Sequence, residues 1–181
     1  DGKDYVLMLD VIEHVKNPEA FAESLHKACA SNWNVKLVIS TGNIGFIIPR
    51  LMHMFGQFNY GKKGILDLTH TRLFTFDSLR RLLQESGFVV LSESGIPAPF
   101  PHAASNRKLA DFLLNVNVQL IKMWKELFSY QIFVVVKPKA SLNSLLKDAV
   151  DHSRLKGLAL DKGTDVESEK LNSDEREPAL V

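Results

Sequence analysis

The sequence predicts an α/β fold, and three observations carry that prediction. Short apolar runs alternate with segments of helical spacing, as strands and helices do when they follow one another through a layered sheet. The helical segments open on capping residues, and one of them stops at a glycine. Of the 181 residues, 45% are apolar and 24% charged, close to the soluble globular average, so a sizeable core can form.

The elements follow in order. Tyr5-Val-Leu-Met-Leu9 is a continuous apolar run, expected of a strand buried on both faces of a parallel sheet. Asn17, Pro18 and Glu19 start a helix: Asn17 can cap, Pro18 suits the first helical position, and Glu19 favours the positive end of the dipole. Phe21, Leu25 and Ala28 then share one face of it. Val35 to Ser40 is a second strand. After a long excursion, Phe76 to Ser86 forms a helix that stops at Gly87, the usual left-handed cap, with Phe88 placed for the accompanying apolar contact. Val89 to Ser94 and Gln131 to Lys137 are further strands. Between them Leu109, Phe112, Leu113, Val116, Leu120, Trp124 and Leu127 recur at helical spacing. In such a sheet the site is expected beyond the carboxyl ends of the strands.

Charge and composition exclude several classes. The net charge of +1, from 22 basic and 21 acidic side chains, leaves no polyelectrolyte footprint, so no nucleic-acid partner is expected. Cys29 is the single cysteine, which excludes an internal disulfide and any CxxC site. No apolar run is long enough to cross a bilayer and no signal-peptide pattern is visible, so the expectation is a cytoplasmic domain. Residues 161–181 hold seven acids against three bases, a charge of −4 that leaves +5 on the rest. No aromatic follows Phe133. Residues 138–181 are therefore expected to be a mostly disordered polar tail, with at most a short helix over Leu142 to Val150.

Three blocks carry a family resemblance. They are DYVLMLDVIEHVKNPEAF from Asp4, VKLVISTGN from Val35, and DLTHTRLFTFDSLRRLLQESGF from Asp67. Together and in this order they resemble the second half of class I S-adenosylmethionine-dependent methyltransferases. The likeness is closest to the branch of ubiquinone-type O-methyltransferases, and within it to bacterial enzymes found with or fused to glycosyltransferases. It covers about residues 4 to 137. The resemblance implies a Rossmann-like seven-stranded sheet, of which this chain supplies strands four to seven, and S-adenosylmethionine as cofactor. It also implies methyl transfer, at oxygen, to a small-molecule or glycan- or lipid-linked acceptor. The family's glycine-rich turn is missing, since no G-x-G occurs among the ten glycines. Residues 1–137 are accordingly expected to be the C-terminal part of a methyltransferase domain. The competing expectation is a non-catalytic scaffold that kept the sheet and lost the cofactor half.

By resemblance, Leu9, Asp10 and Val11 end the strand nearest the methionine part of the cofactor, where their backbone and the Asp10 carboxylate would face it. A simple strand-end acid is the bland reading of Asp10. His14 follows Glu13 on the turn, as a base or as a residue that orients the loop. In Asp67-Leu-Thr-His70-Thr-Arg72, His70 can take a hydroxyl proton and Arg72 can fork onto an anionic group. Alternation would put the two on one side of an extended stretch. Their bland reading is that both brace the loop before a helix capped by Thr75 or Asp77. Asn43 stands in Thr41-Gly42-Asn43, where relatives often read "PN", and is expected to face substrate. No metal ligand is assigned; His26, His53, His102 and His152 lack partners at ligand spacing. Residues 44–66 sit where the family carries a substrate-covering insertion. The apolar stretch Ile44 to Phe58 reads as a lid, as a patch giving peripheral membrane contact, or, most simply, as a core helix kinked near Pro49.

Overall fold

The computed structural model describes residues 4–29, 32–100 and 107–140, together with Leu146, Val150 and Ser153. The chain divides into two compact units, Asp1–Lys139 and Ala140–Val181. In the second, Leu146, Val150 and Ser153 are helical and exposed. Most of the expected tail, and His102 and His152, lie outside the described residues.

The first unit is a mixed α/β structure with a four-stranded sheet. In chain order it comprises β1 (Tyr5–Leu9), a 3₁₀ turn (Ile12–His14), α1 (Pro18–Ala28), β2 (Lys36–Gly42), α2 (Ile47–Met54) and α3 (Phe76–Glu85). Then come β3 (Phe88–Ile96), α4 (Arg107–Met123), α5 (Lys125–Phe128) and β4 (Gln131–Pro138). The sheet order is β1-β2-β4-β3. β1 and β2 are parallel, with Leu9 opposite Ser40, whereas β4 runs antiparallel to both β2 and β3. Strand β4 is thus inserted between β2 and β3, and its first residues arrive at the carboxyl ends of β1 and β2.

Local signals set the helix boundaries. The Asn17 side chain accepts from the Ala20 amide at 2.9 Å, with Pro18 in the first turn. Thr75, not Asp77, caps α3: it accepts from the Ser78 amide at 3.2 Å while the Ser78 hydroxyl accepts from the Thr75 amide at 2.9 Å. Gly87 takes a φ of +92°, as a left-handed cap requires. α1 and α3 close the main core, in which Leu37, Ile39, Leu83, Ile132 and Val136 are buried to 1% exposure or less. A smaller cluster forms around Phe46, Ile65 and Ala98.

Two expectations are corrected. β1 is not buried on both faces: only Met8 is buried, while Leu7 is 65% and Leu9 52% exposed. An apolar run demands apolar neighbours without saying which, and among the described residues β1 has a strand partner along one edge alone. The Ile44–Phe58 stretch does form a helix, but not a core helix. Pro49 is its buried residue, and Ile48, Leu51 and Met54 are exposed. Pro49 sits in the first turn, where its missing N–H costs no hydrogen bond.

Candidate active site

The carboxyl ends of β1 and β2 open onto one cleft of about 250 Å³. Asp10, directly after β1, takes a φ of +54°, in the left-handed region that costs a residue with a side chain roughly 1–2 kcal/mol. Its amide donates to the Ser40 carbonyl at 3.1 Å, carrying the parallel ladder one residue past the strand. Its Oδ1 accepts from Ser40 Oγ at 3.3 Å and from Gln131 Nε2 at 3.0 Å. The strained residue is therefore fixed from β2 and from the first residue of β4 at once, the mark of a preorganised position.

The 3₁₀ turn follows because Ile12 must enter the core, where it is 1% exposed, and it carries Glu13 inward with it. The Glu13 carbonyl accepts from the amides of Thr71 at 2.8 Å and Arg72 at 3.2 Å, and the Thr71 hydroxyl donates to the Val15 carbonyl at 2.7 Å. These bonds fasten the 67–75 block onto the turn after β1 and bring His70 to His14. Glu13 itself is 3% exposed, lines the cleft, and its Oε2 is buried with no hydrogen-bond partner. A buried carboxylate oxygen in that state is costly unless a cation or donor meets it.

His14 Nδ1 lies 3.2 Å from the Thr69 carbonyl, and His70 Nδ1 lies 2.9 Å from the Ile65 carbonyl. A carbonyl only accepts, so Nδ1 is the donor in both contacts and Nε2 of each ring is left uncommitted by them. The rings meet edge to face with centroids 4.9 Å apart. Both line the cleft.

Asp67 and Tyr130 complete the polar wall. Hydrogen bonds from the Thr69 hydroxyl and amide hold the Asp67 carboxyl below the usual carboxylate range. Burial, then the negative charge of Asp10, push the Tyr130 phenol up, so it stays a neutral donor. The cleft thus combines three carboxylates with two imidazoles. Ligand atoms of Glu13, His14 and His70 fall within 4.8 Å of one another, a donor set that can take a divalent cation and that the sequence reading, with no metal ligand assigned, does not anticipate.

Of the residues singled out from sequence, Asp10, His14 and His70 are brought together here. Leu9 and Val11 flank Asp10 as exposed residues outside the cleft lining. Asn43 is wholly buried and spent on backbone: Nδ2 donates to the carbonyls of Glu126 at 3.0 Å and Ser129 at 2.8 Å, and Oδ1 accepts from the Gly45 amide at 2.9 Å. It ties the end of β2 to the turn that delivers Tyr130. Arg72 pairs with Glu19 at 2.9 Å on the surface and is not among the residues that line the cleft with His70. Residues 68–73 make turns and irregular backbone, so the alternation argument fails. Glu13, Asp67, Tyr130 and Gln131 carried no assigned role in the sequence. For Asp67 a signal was present, the Asp-x-Thr turn that its side chain makes with Thr69.

Residues 2–93, just over half of the chain, match a family model described as a methyltransferase domain. Among solved structures the chain is similar to the crystal structure of a SAM-dependent methyltransferase from Archaeoglobus fulgidus, at 16% identity and a TM-score of 0.43. That likeness covers 75% of this chain and 59% of the other, so the chain spans less than two thirds of that protein's length. No curated protein matches it. The family match takes in β1, Asp10, the 3₁₀ turn and the block holding His70. The chain belongs to the methyltransferase domain family.

Proposed function

We propose that this chain forms the catalytic side of an S-adenosylmethionine-dependent methyltransferase active site acting on a hydroxyl group. The observation that carries the reading is the paired His14 and His70, each with Nδ1 committed to a carbonyl and Nε2 uncommitted by that bond, beside the preorganised Asp10 carboxylate. S-adenosylmethionine, when bound, would supply a methyl group on a cationic sulfonium, whose sulfur leaves as a neutral thioether. The cleft suits its cationic methionine end: Asp10 and the unpartnered Oε2 of buried Glu13 both line it. Asp10 would bind the ammonium group, and Glu13 would supply the neighbouring negative field.

His70, oriented through Nδ1, would take the acceptor's hydroxyl proton on Nε2 as the oxygen lone pair forms the new C–O bond. The C–S bond breaks with its electron pair going to sulfur, and the proton ends on the imidazole. Charge and atoms balance without a further reactant. His14, 4.9 Å away, would hold the His70 ring in place. The exposed apolar edge of β1 supports a further part of the reading: that additional parallel strands pack there and bring the ribose and adenine contacts, for which this sequence has no G-x-G turn.

The test is transfer of a labelled methyl group from S-adenosylmethionine to hydroxyl acceptors by the natural protein that contains this chain. The expected result is label on oxygen, with His70→Ala lowering turnover by roughly 10²–10⁴-fold and leaving cofactor affinity in place. Label transfer that survives His70→Ala overturns the base assignment. Absence of any transfer, with cofactor affinity unchanged by Asp10→Asn, would leave the scaffold reading.

A further inference from the structure

Beside the polar cleft lies a second, larger space of about 620 Å³, bounded by α2, α4 and residues 59–66. Its lining is dominated by apolar side chains, among them Phe46, Met52, Ala98, Leu113 and Leu120. Among the described lining residues Lys63 is the one charged group, and it is exposed. The buried amide in the wall, Asn117, is engaged at both ends: Oδ1 accepts from the Ala98 amide at 3.0 Å and Nδ2 donates to the Phe128 carbonyl at 2.9 Å. An occupant would therefore find mainly apolar surface, with the Tyr130 hydroxyl at one end of it. The volume falls in the ~300–1,000 Å³ range of small-molecule sites.

The two spaces share Gly64, Ile65 and Tyr130 as walls. Gly64 takes a φ of +93°, and a Cβ there would sit 3.1 Å from the Tyr130 hydroxyl. The partition at that point is one glycine and one phenol thick. Tyr130 is braced from the apolar side by Phe46, with ring centroids 5.8 Å apart.

We propose that the apolar cavity seats the hydrophobic body of an amphiphilic acceptor whose hydroxyl-bearing head enters the polar cleft past Gly64 and Tyr130. The inference deepens the methyl-transfer reading and rests on it for the word acceptor, but the binding claim stands apart from catalysis. The shared wall of Gly64, Ile65 and Tyr130 selects this occupant: a molecule lying across it would place apolar atoms against α2 and α4 and an oxygen near His70. Tyr130, a neutral donor at the junction, would orient the head.

The experiment measures displacement of the dye 1-anilinonaphthalene-8-sulfonate from the protein by a series of 4-alkylphenols, from ethyl to octyl, with no methyl donor present. The expected result is one-to-one displacement whose affinity rises about fourfold per added methylene, the transfer free energy of a CH₂ group. Val116→Trp, which places an indole in the cavity wall, should weaken octylphenol by tenfold or more. Met123→Trp, 82% exposed and outside the cavity, should not. A melting curve accompanies each variant, and Leu113→Phe replaces Val116→Trp if the latter does not fold. Binding that ignores chain length, or that is untouched by both cavity-filling variants, overturns the proposal. Histidine ring NMR signals add a second arm: octylphenol should shift those of His14 and His70. Tight binding without those shifts overturns the joined-site geometry. Phenol binding with no methyl transfer in the labelled-cofactor assay would instead sink the methyl-transfer reading alone.

Discussion

The imidazoles of His14 and His70 lie edge to face with centroids 4.9 Å apart, each fixed through Nδ1 to a backbone carbonyl of the 65–69 loop. Residues that act as one unit do not lose their effects additively. The double variant His14→Ala/His70→Ala is therefore expected to be no slower than His70→Ala alone by more than a small factor. Steady-state turnover of the two singles and the double in the natural protein checks this; fully multiplicative losses would show two independent roles.

Asn43→Ala should act on stability rather than on acceptor binding. The change leaves the Gly45 amide and the carbonyls of Glu126 and Ser129 without their side-chain partner, at about 1–3 kcal/mol for each buried group that stays unsatisfied. A lowered melting temperature with an unchanged acceptor KM is the expected pair of results. A selective rise in KM would restore Asn43 to the substrate site.

Gly95→Ala should destabilise the sheet. A Cβ there would stand 2.6 Å from the Cβ of buried Ser129 and overlap its hydroxyl, an overpacking cost of about 1–3 kcal/mol. Ser129→Gly in the same chain should recover part of the loss. Denaturant melts of the single and double variants measure both, and an unaltered Gly95→Ala midpoint would contradict the packing.

Glu93 gives a pH dependence with a definite sign. Hydrogen bonds from Arg80 at 2.6 and 2.7 Å, together with Lys125 at 3.0 Å, hold its carboxyl below the ordinary value of 4.5. A carboxyl depressed in the folded state binds fewer protons there than when unfolded. Its contribution is then complete above about pH 4.5 and is lost as the pH falls through the folded value. Glu93→Gln should reduce stability at neutral pH and flatten the acid limb of the melting-temperature profile. An acid limb identical to that of the unaltered chain would contradict the assignment.

Much of the fold was legible because it is written locally. Asn17-Pro18, Thr75 and Gly87 carry their signals within a few residues, and the apolar runs of β1, β2 and β4 need no partner to be recognised as strands. What the sequence did not show is set by distant partners. Asp10 meets Gln131 only because β4 inserts beside β2, and nothing near either residue encodes that neighbour. The same holds for Asn43, whose environment is a turn more than eighty residues away. Arg72 misled because a short polar stretch has no period of its own; three bonds to the Glu13 carbonyl fold it into turns instead. The apolar cavity was half visible, as the unexplained greasy stretch from Ile44 to Phe58, but its other wall comes from α4.

Asp10 is the proposed anchor for the donor's cationic end, and calorimetric titration of S-adenosylmethionine into the natural protein and its Asp10→Asn variant tests that most directly. Asparagine tolerates the left-handed backbone and can keep the bonds to Ser40 and Gln131, so the fold should stand. Loss of one charge beside a cation near the surface is worth about 1–4 kcal/mol, so the account expects affinity to fall by roughly tenfold or more at an unchanged melting temperature. Equal affinity in the two proteins, or a loss that merely follows a lowered melting temperature, would contradict it.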